Sequence, residues 1–220
     1  MTERRRFPPC GVYAITSDRA GSPAELCDAV ALAIAGGARV VQYRRKHVEA
    51  AVQRREAAAA CRVARDLGAC FIVNDDVALA RAIAADGVHL GRDDGDFRGL
   101  RAELGPDFVL GISCYRSVDR ALEAVAAGVS YVAFGSFFPS QTKPGAPPCP
   151  LSVLEEARRR VDVPLVAIGG ITPENGGALR AAGADFLAII SGIFDASDIT
   201  AATRRYHAIF EDQGAETRHA

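Results

Sequence analysis

Short apolar runs alternate with alanine- and leucine-rich stretches eight times along this chain, at roughly 25 residues per repeat. That alternation restricts the fold more than any single motif does. Strands are predicted at 11–16, 39–44, 70–74, 87–91, 108–113, 131–135, 164–170 and 186–191. They are continuously apolar rather than alternating, so both faces must be covered, which calls for a parallel sheet wrapped in helices. The intervening segments carry helical periodicity, as in "SVDRALEAVAAG", where Val118, Leu122, Val125 and Ala126 recur with charges between them. Ser22, Ser117 and Thr172 stand where a hydroxyl can accept from free N–H groups at a helix start. Gly37, Gly68, Gly128 and Gly183 stand where C-terminal caps belong. Eight such units in 220 residues predict a single (β/α)8 TIM barrel over 11–211, with an open doubly wound sheet as the alternative. Residues 1–10 read as a frayed basic start and 212–220 as a disordered tail.

Composition narrows the partners. Hydrophobic residues make up 49% and charged residues 24%, and the net charge is −1, so nothing in the bulk charge draws nucleic acid or anionic lipid. Anion binding must come from local geometry. No apolar run is long enough to span a membrane, and "MTERRRF" lacks the apolar centre of a signal peptide. Six scattered cysteines without a C-x-x-C pair suit thiols in a reducing cytoplasm. The absence of Trp counts against a sugar- or base-stacking platform. The oligomeric state is not legible, and a homo-oligomer stays open.

In a barrel of this type the active site gathers at the C-terminal strand ends. The second strand runs into Gln42, Arg44 and Lys46, whose alternate spacing points all three the same way, a cationic wall if that way is inward. The stretch "FIVNDDVALARAIAADGVHLGRDD" sets Asn74, Asp75 and Asp76 after the third strand and Asp93 and Asp94 after the fourth. Carboxylates from neighbouring strand ends can share one Mg²⁺; any one of Asn74, Asp75 and Asp76 could equally cap the next helix. The long connection "GSFFPSQTKPGAPPCP" offers Ser140, Thr142 and Lys143 to an anion, or is a solvated surface loop. Gly169, Gly170, Ile190 and Ser191 follow the last two strands, where many barrels bind phosphate. Ser113 has no partner spacing that marks a nucleophile and reads as a hydrogen-bond donor, and His89 reads as a core or mouth histidine rather than a metal ligand.

Taken together, "QYRRK", "NDDVALARAIAADGVHLGRDD", "GISCYRS", "AFGSFFPSQTKPGA", "VAIGGITPEN" and "GADFLAIISGIF" resemble thiamine-phosphate synthase, in order, over residues 11–200. The resemblance implies a Mg²⁺-dependent transferase. It would join 4-amino-2-methyl-5-pyrimidinylmethyl diphosphate to 4-methyl-5-(2-phosphoethyl)thiazole, giving thiamine phosphate and diphosphate. By position it implies that Gln42, Arg44 and Lys46 contact pyrimidine and diphosphate, and that Asn74 holds the diphosphate. Asp75 and Asp94 would hold Mg²⁺. Ser113 and Lys143 would contact the diphosphate, with Ser140 and Thr142 beside Lys143, and Lys143, Ser113 and Arg44 are the catalytic candidates. Gly170, Ile190 and Ser191 would cradle the thiazole phosphate. Ser140, Asp76 and Arg92 depart from the family's common Thr, Arg and Gln. A thiazole tautomerase, a non-catalytic phosphate-ligand barrel and a retaining glycosidase are the rivals. Asp75, Asp94 and Lys143 together separate the synthase from the tautomerase.

Overall fold

The computed structural model describes residues 6–18, 21–46, 48–91, 96–139 and 148–211. The elements follow the predicted alternation: β1 (Gly11–Ile15), α1 (Pro23–Ala35), β2 (Ala38–Tyr43), α2 (Ala50–Asp66), β3 (Cys70–Asn74), α3 (Val77–Ala82), β4 (Gly87–Leu90) and α4 (Phe97–Leu104). The second half is β5 (Val109–Tyr115), α5 (Val118–Ala126), β6 (Tyr131–Gly135), α6 (Leu151–Arg160), β7 (Leu165–Ile168), α7 (Gly176–Ala181) and β8 (Phe186–Ile189), then α8 (Ser191–Phe194) and α9 (Ile199–Glu211). All strand pairs are parallel, and β1 pairs with β8 (Tyr13 beside Ala188), so the sheet closes into a barrel in sequence order. The open-sheet alternative is excluded by that closure.

Local chemistry accounts for most of the boundaries. Ser22 and Glu25 form a reciprocal capping box at α1, and Ser117 Oγ accepts from Arg120 N–H at α5. Gly37, Gly68, Gly128 and Gly183 all take positive φ after α1, α2, α5 and α7, as caps do. Thr172 does not cap α7: the side chain of Asn175 instead accepts from Thr172 N–H at 2.8 Å and donates to the Gly170 carbonyl at 3.1 Å. The seventh strand stops at Ile168, short of 170, because Gly169 and Gly170 turn to φ 106 and 62. The fifth runs on to Tyr115 through an irregularity after Ser113.

Two apolar layers result. One lies between the sheet and the helices, where Val41, Phe71, Leu110, Phe134 and Leu154 are buried. The other fills the barrel with Tyr13, Val40, Ile72, Tyr131, Val166 and Phe186. Each such side chain stabilises the fold by roughly 1.5–3 kcal/mol. Phe7 belongs to the inner layer: its ring stacks on Tyr131 with centroids 4.2 Å apart and tilts against Phe186 at 4.8 Å. Reading the N-terminal segment as frayed misses that contact. No helix among the described residues is long and apolar enough to cross a membrane.

Candidate active site

The strand parity that packs Val40, Cys70 and Ile72 inside the barrel also sends Gln42, Arg44, Asn74 and Ser113 to its inner side as each strand nears its C-terminal end. These residues reach the mouth at different depths. Gln42 is buried at 3% exposure, and its Nε2 donates to Tyr13 Oη at 2.7 Å. Arg44 stands higher and pairs with Asp18, Nη1 to Oδ2 at 2.8 Å. Lys46 is exposed, and its backbone N–H donates to the other Asp18 oxygen at 2.7 Å. Burial works against the charge on Asp18, but the Lys46 N–H and the Arg44 guanidinium prevail and hold its carboxyl below the usual range. Thr16 Oγ1 accepts from Arg44 N–H at 2.9 Å and donates to the Arg44 carbonyl, fixing the end of β2 against β1. Asp18 is the residue that sequence reasoning missed here. It follows β1 by three positions, and the pairing of β1 with β2 brings it beside Arg44.

The acids after β3 divide their work. Asp76 caps α3, its Oδ1 accepting from Leu79 N–H at 2.7 Å. Asp75 is exposed at the mouth with φ 64. Asp76 N–H closes back on the Asn74 carbonyl at 2.8 Å, so Asp75 sits at the centre of a γ-turn of the rare positive-φ hand. Its own N–H donates to the His89 carbonyl at 2.9 Å, tying the turn to β4. A hard cation such as Mg²⁺ takes carboxylate oxygens. Asp75, whose acid is not used as the cap, fits that donor set; Asp94 lies outside the described residues, as do Ser140, Thr142 and Lys143.

Across the mouth, β5 to β8 enclose a cavity of about 610 Å³. Ser113 and Tyr115 form one wall, and Gly169, Gly170, Ile190 and Ser191 another. Three predicted site segments therefore meet in one space, while Gln42, Arg44, Lys46, Asn74 and Asp75 stand apart from its lining. The glycines are needed sterically: a Cβ on Gly169 would overlap Ser136 Oγ, and one on Gly170 would overlap the Pro139 carbonyl. Ile190, at φ −106 and ψ −89, breaks β8 so that Ser191 can open the short α8.

A closed parallel barrel with polar strand ends and a glycine-walled cavity at its C-terminal face is the architecture of a (β/α)8 enzyme acting on small molecules. The sequence pattern of a family described as thiamine monophosphate synthase matches residues 12–193. Thiamine-phosphate synthase of Chromobacterium violaceum is 52% identical over 194 residues, covering 88% of this chain and 93% of the relative. That of Azoarcus sp. is 48% identical over 210 residues, covering 96% and 100%. Among solved structures, thiamine phosphate pyrophosphorylase from Pyrococcus furiosus superposes with a TM-score of 0.81 at 32% identity, covering 93% of this chain and 96% of that one. The chain belongs to the thiamine monophosphate synthase family.

Proposed function

We propose that this protein joins 4-amino-2-methyl-5-pyrimidinylmethyl diphosphate to 4-methyl-5-(2-phosphoethyl)thiazole, releasing diphosphate and forming thiamine phosphate. The observation that carries the reading is the cavity that holds Ser113 opposite Gly170, Ile190 and Ser191, in a chain matched to the family over nearly its whole barrel. The C–O bond breaks with its electron pair leaving on the diphosphate. The thiazole nitrogen then supplies the pair that forms the new C–N bond. No protein nucleophile is needed, so the residues bind, orient and neutralise.

In this reading Gly170, Ile190 and Ser191 hold the thiazole phosphate, and Ser113 faces the diphosphate. Arg44, Lys46 and Asn74 approach the diphosphate from the opposite rim, and Ser140, Thr142 and Lys143 are its further contacts. Gln42, whose amide nitrogen is fixed from within the barrel by Tyr13, is the contact for the pyrimidine. Asp75 and Asp94 would hold Mg²⁺, which supplies Lewis-acid neutralisation of the leaving group when bound. Six free thiols are compatible with a reducing, cytoplasmic setting. The test mixes both substrates with and without Mg²⁺ and measures diphosphate and thiamine phosphate. Metal-dependent release of both products is expected. Isomerisation of a thiazole without diphosphate release would transfer the chain to the tautomerase reading.

A further inference from the structure

Five polar groups from five strands join hands through the barrel's interior. Gln42 Nε2 lies 2.7 Å from Tyr13 Oη, and Tyr13 Oη lies 2.8 Å from Tyr131 Oη. Tyr131 Oη lies 2.9 Å from His89 Nδ1, and His89 Nε2 lies 2.9 Å from Ser113 Oγ. Gln42, Tyr13, Tyr131 and His89 are buried, at 3%, 1%, 0% and 9% exposure. The far end, Ser113, opens on the cavity.

One assignment of protons lets every group in this line donate and accept in turn. The Gln42 amide nitrogen can only donate, so Tyr13 Oη accepts there, and in this assignment its own proton goes to Tyr131 Oη. Tyr131 passes its proton to Nδ1 of His89. Burial, the largest influence on both phenols, keeps Tyr13 and Tyr131 protonated and able to donate. With Nδ1 accepting, the imidazole proton resides on Nε2 and is given to Ser113 Oγ. The Ser113 hydroxyl has then accepted one hydrogen bond and keeps its single proton for a partner in the cavity.

We propose that His89, set in its Nε2–H tautomer by Tyr131, is a positioning residue that makes Ser113 a committed hydrogen-bond donor to the departing diphosphate. The proposal rests on the coupling reaction above. A histidine buried only for packing would need neither a fixed tautomer nor a partner that lines the cavity. The chain also explains why tyrosines, not phenylalanines, fill this part of the barrel: each hydroxyl is both acceptor and donor in one line.

Release of diphosphate by the unaltered protein tests the reaction itself, and its absence would overturn that reading alone. For the proposal, ¹⁵N NMR of the His89 ring is expected to find the proton on Nε2 and a bare, hydrogen-bonded Nδ1. A proton on Nδ1 overturns it. His89→Asn is expected to lower kcat about 10- to 100-fold with a smaller change in KM, the worth of one hydrogen bond to a charged group. His89→Gln, whose Nε2 can still donate to Ser113, should retain more activity. In a Ser113→Ala background His89→Asn should add no further loss; multiplicative losses would show that His89 does not act through Ser113. Tyr131→Phe keeps the ring and removes the tautomer lock, so it serves if His89→Asn fails to fold, and unchanged turnover in it counts against the proposal. Affinity for inorganic diphosphate gives the same comparison without turnover.

Discussion

Arg44 and Asp18 meet across the ends of β2 and β1, Nη1 to Oδ2 at 2.8 Å, with the Lys46 N–H closing on the second carboxylate oxygen. The pair aims the guanidinium more than it stabilises the fold, since Asp18 is 43% exposed and such pairs contribute less than about 1 kcal/mol. Asp18→Ala is therefore expected to leave the thermal midpoint almost unchanged. It should lower kcat/KM for the diphosphate substrate about tenfold through a mispositioned Arg44. Steady-state kinetics beside a melting curve separate the two effects.

Gly111 lies in β5 against the face of Tyr131, and a Cβ there would overlap the phenol ring. Gly111→Ala should cost about 2–3 kcal/mol by overpacking. It should also displace the Tyr131 hydroxyl from His89, so activity should fall further than the unfolded fraction accounts for. Denaturant titration with activity measured at low temperature distinguishes these outcomes.

Asp75 and Ala84 both hold left-handed backbone, at φ 64 and 54. Ala84 follows α3 and is placed there by its N–H bond to the Arg81 carbonyl, a glycine's position occupied by alanine. Ala84→Gly should stabilise the protein by about 1 kcal/mol with activity retained. Asp75→Gly should relieve about 0.5 kcal/mol of strain, Asp tolerating this region better, while sharply raising the Mg²⁺ needed for turnover. An unchanged metal titration in Asp75→Gly would remove that residue from the metal site.

Burial pushes the phenols of Tyr13, Tyr43 and Tyr131 well above their ordinary value of 10.0, helped at Tyr43 by the neighbouring Glu56 carboxylate. In the unfolded chain they ionise near that value; in the folded protein they keep their protons. Stability is thus fully present below about pH 10 and falls as pH rises above it, by about 1.4 kcal/mol per pH unit for each phenol. Tyrosinate absorbance from these three should rise together with the loss of circular dichroism. An absorbance step that precedes unfolding would contradict their burial.

In the proposed reaction Lys143 brings a point charge to the departing diphosphate. Lys143→Ala is expected to lower kcat about 10²-fold or more, since one such contact in a transition state is worth roughly 3 kcal/mol. Near-normal turnover would remove it from the chemistry.

How far the sequence reaches is clearest at particular residues. The eight strands were legible because a strand buried on both faces must be continuously apolar, and the glycines at 37, 68, 128 and 183 because a helix end that turns left-handed selects for a missing Cβ. That Gln42 and Arg44 share one direction follows from the two-residue period, but that this direction is inward is set by the packing of Val40 inside the barrel. Local pattern could not say which of Asp75 and Asp76 caps α3, because both side chains can reach a free N–H and only the backbone turn chooses.

The sequence by itself determined the eightfold alternation of strand and helix, the strand boundaries to within a few residues, and which side chains of a strand share a face, since all of these are periodicities written along the chain. Only the tertiary structure decided that Phe7 packs under Tyr131, that Asp18 holds Arg44, and that Gln42 and Ser113 are joined through Tyr13, Tyr131 and His89. The Tyr13–Tyr131 contact joins strands 118 positions apart in the chain, set face to face by the closed barrel, whereas Asp18 and Arg44 meet through the register of β1 on β2.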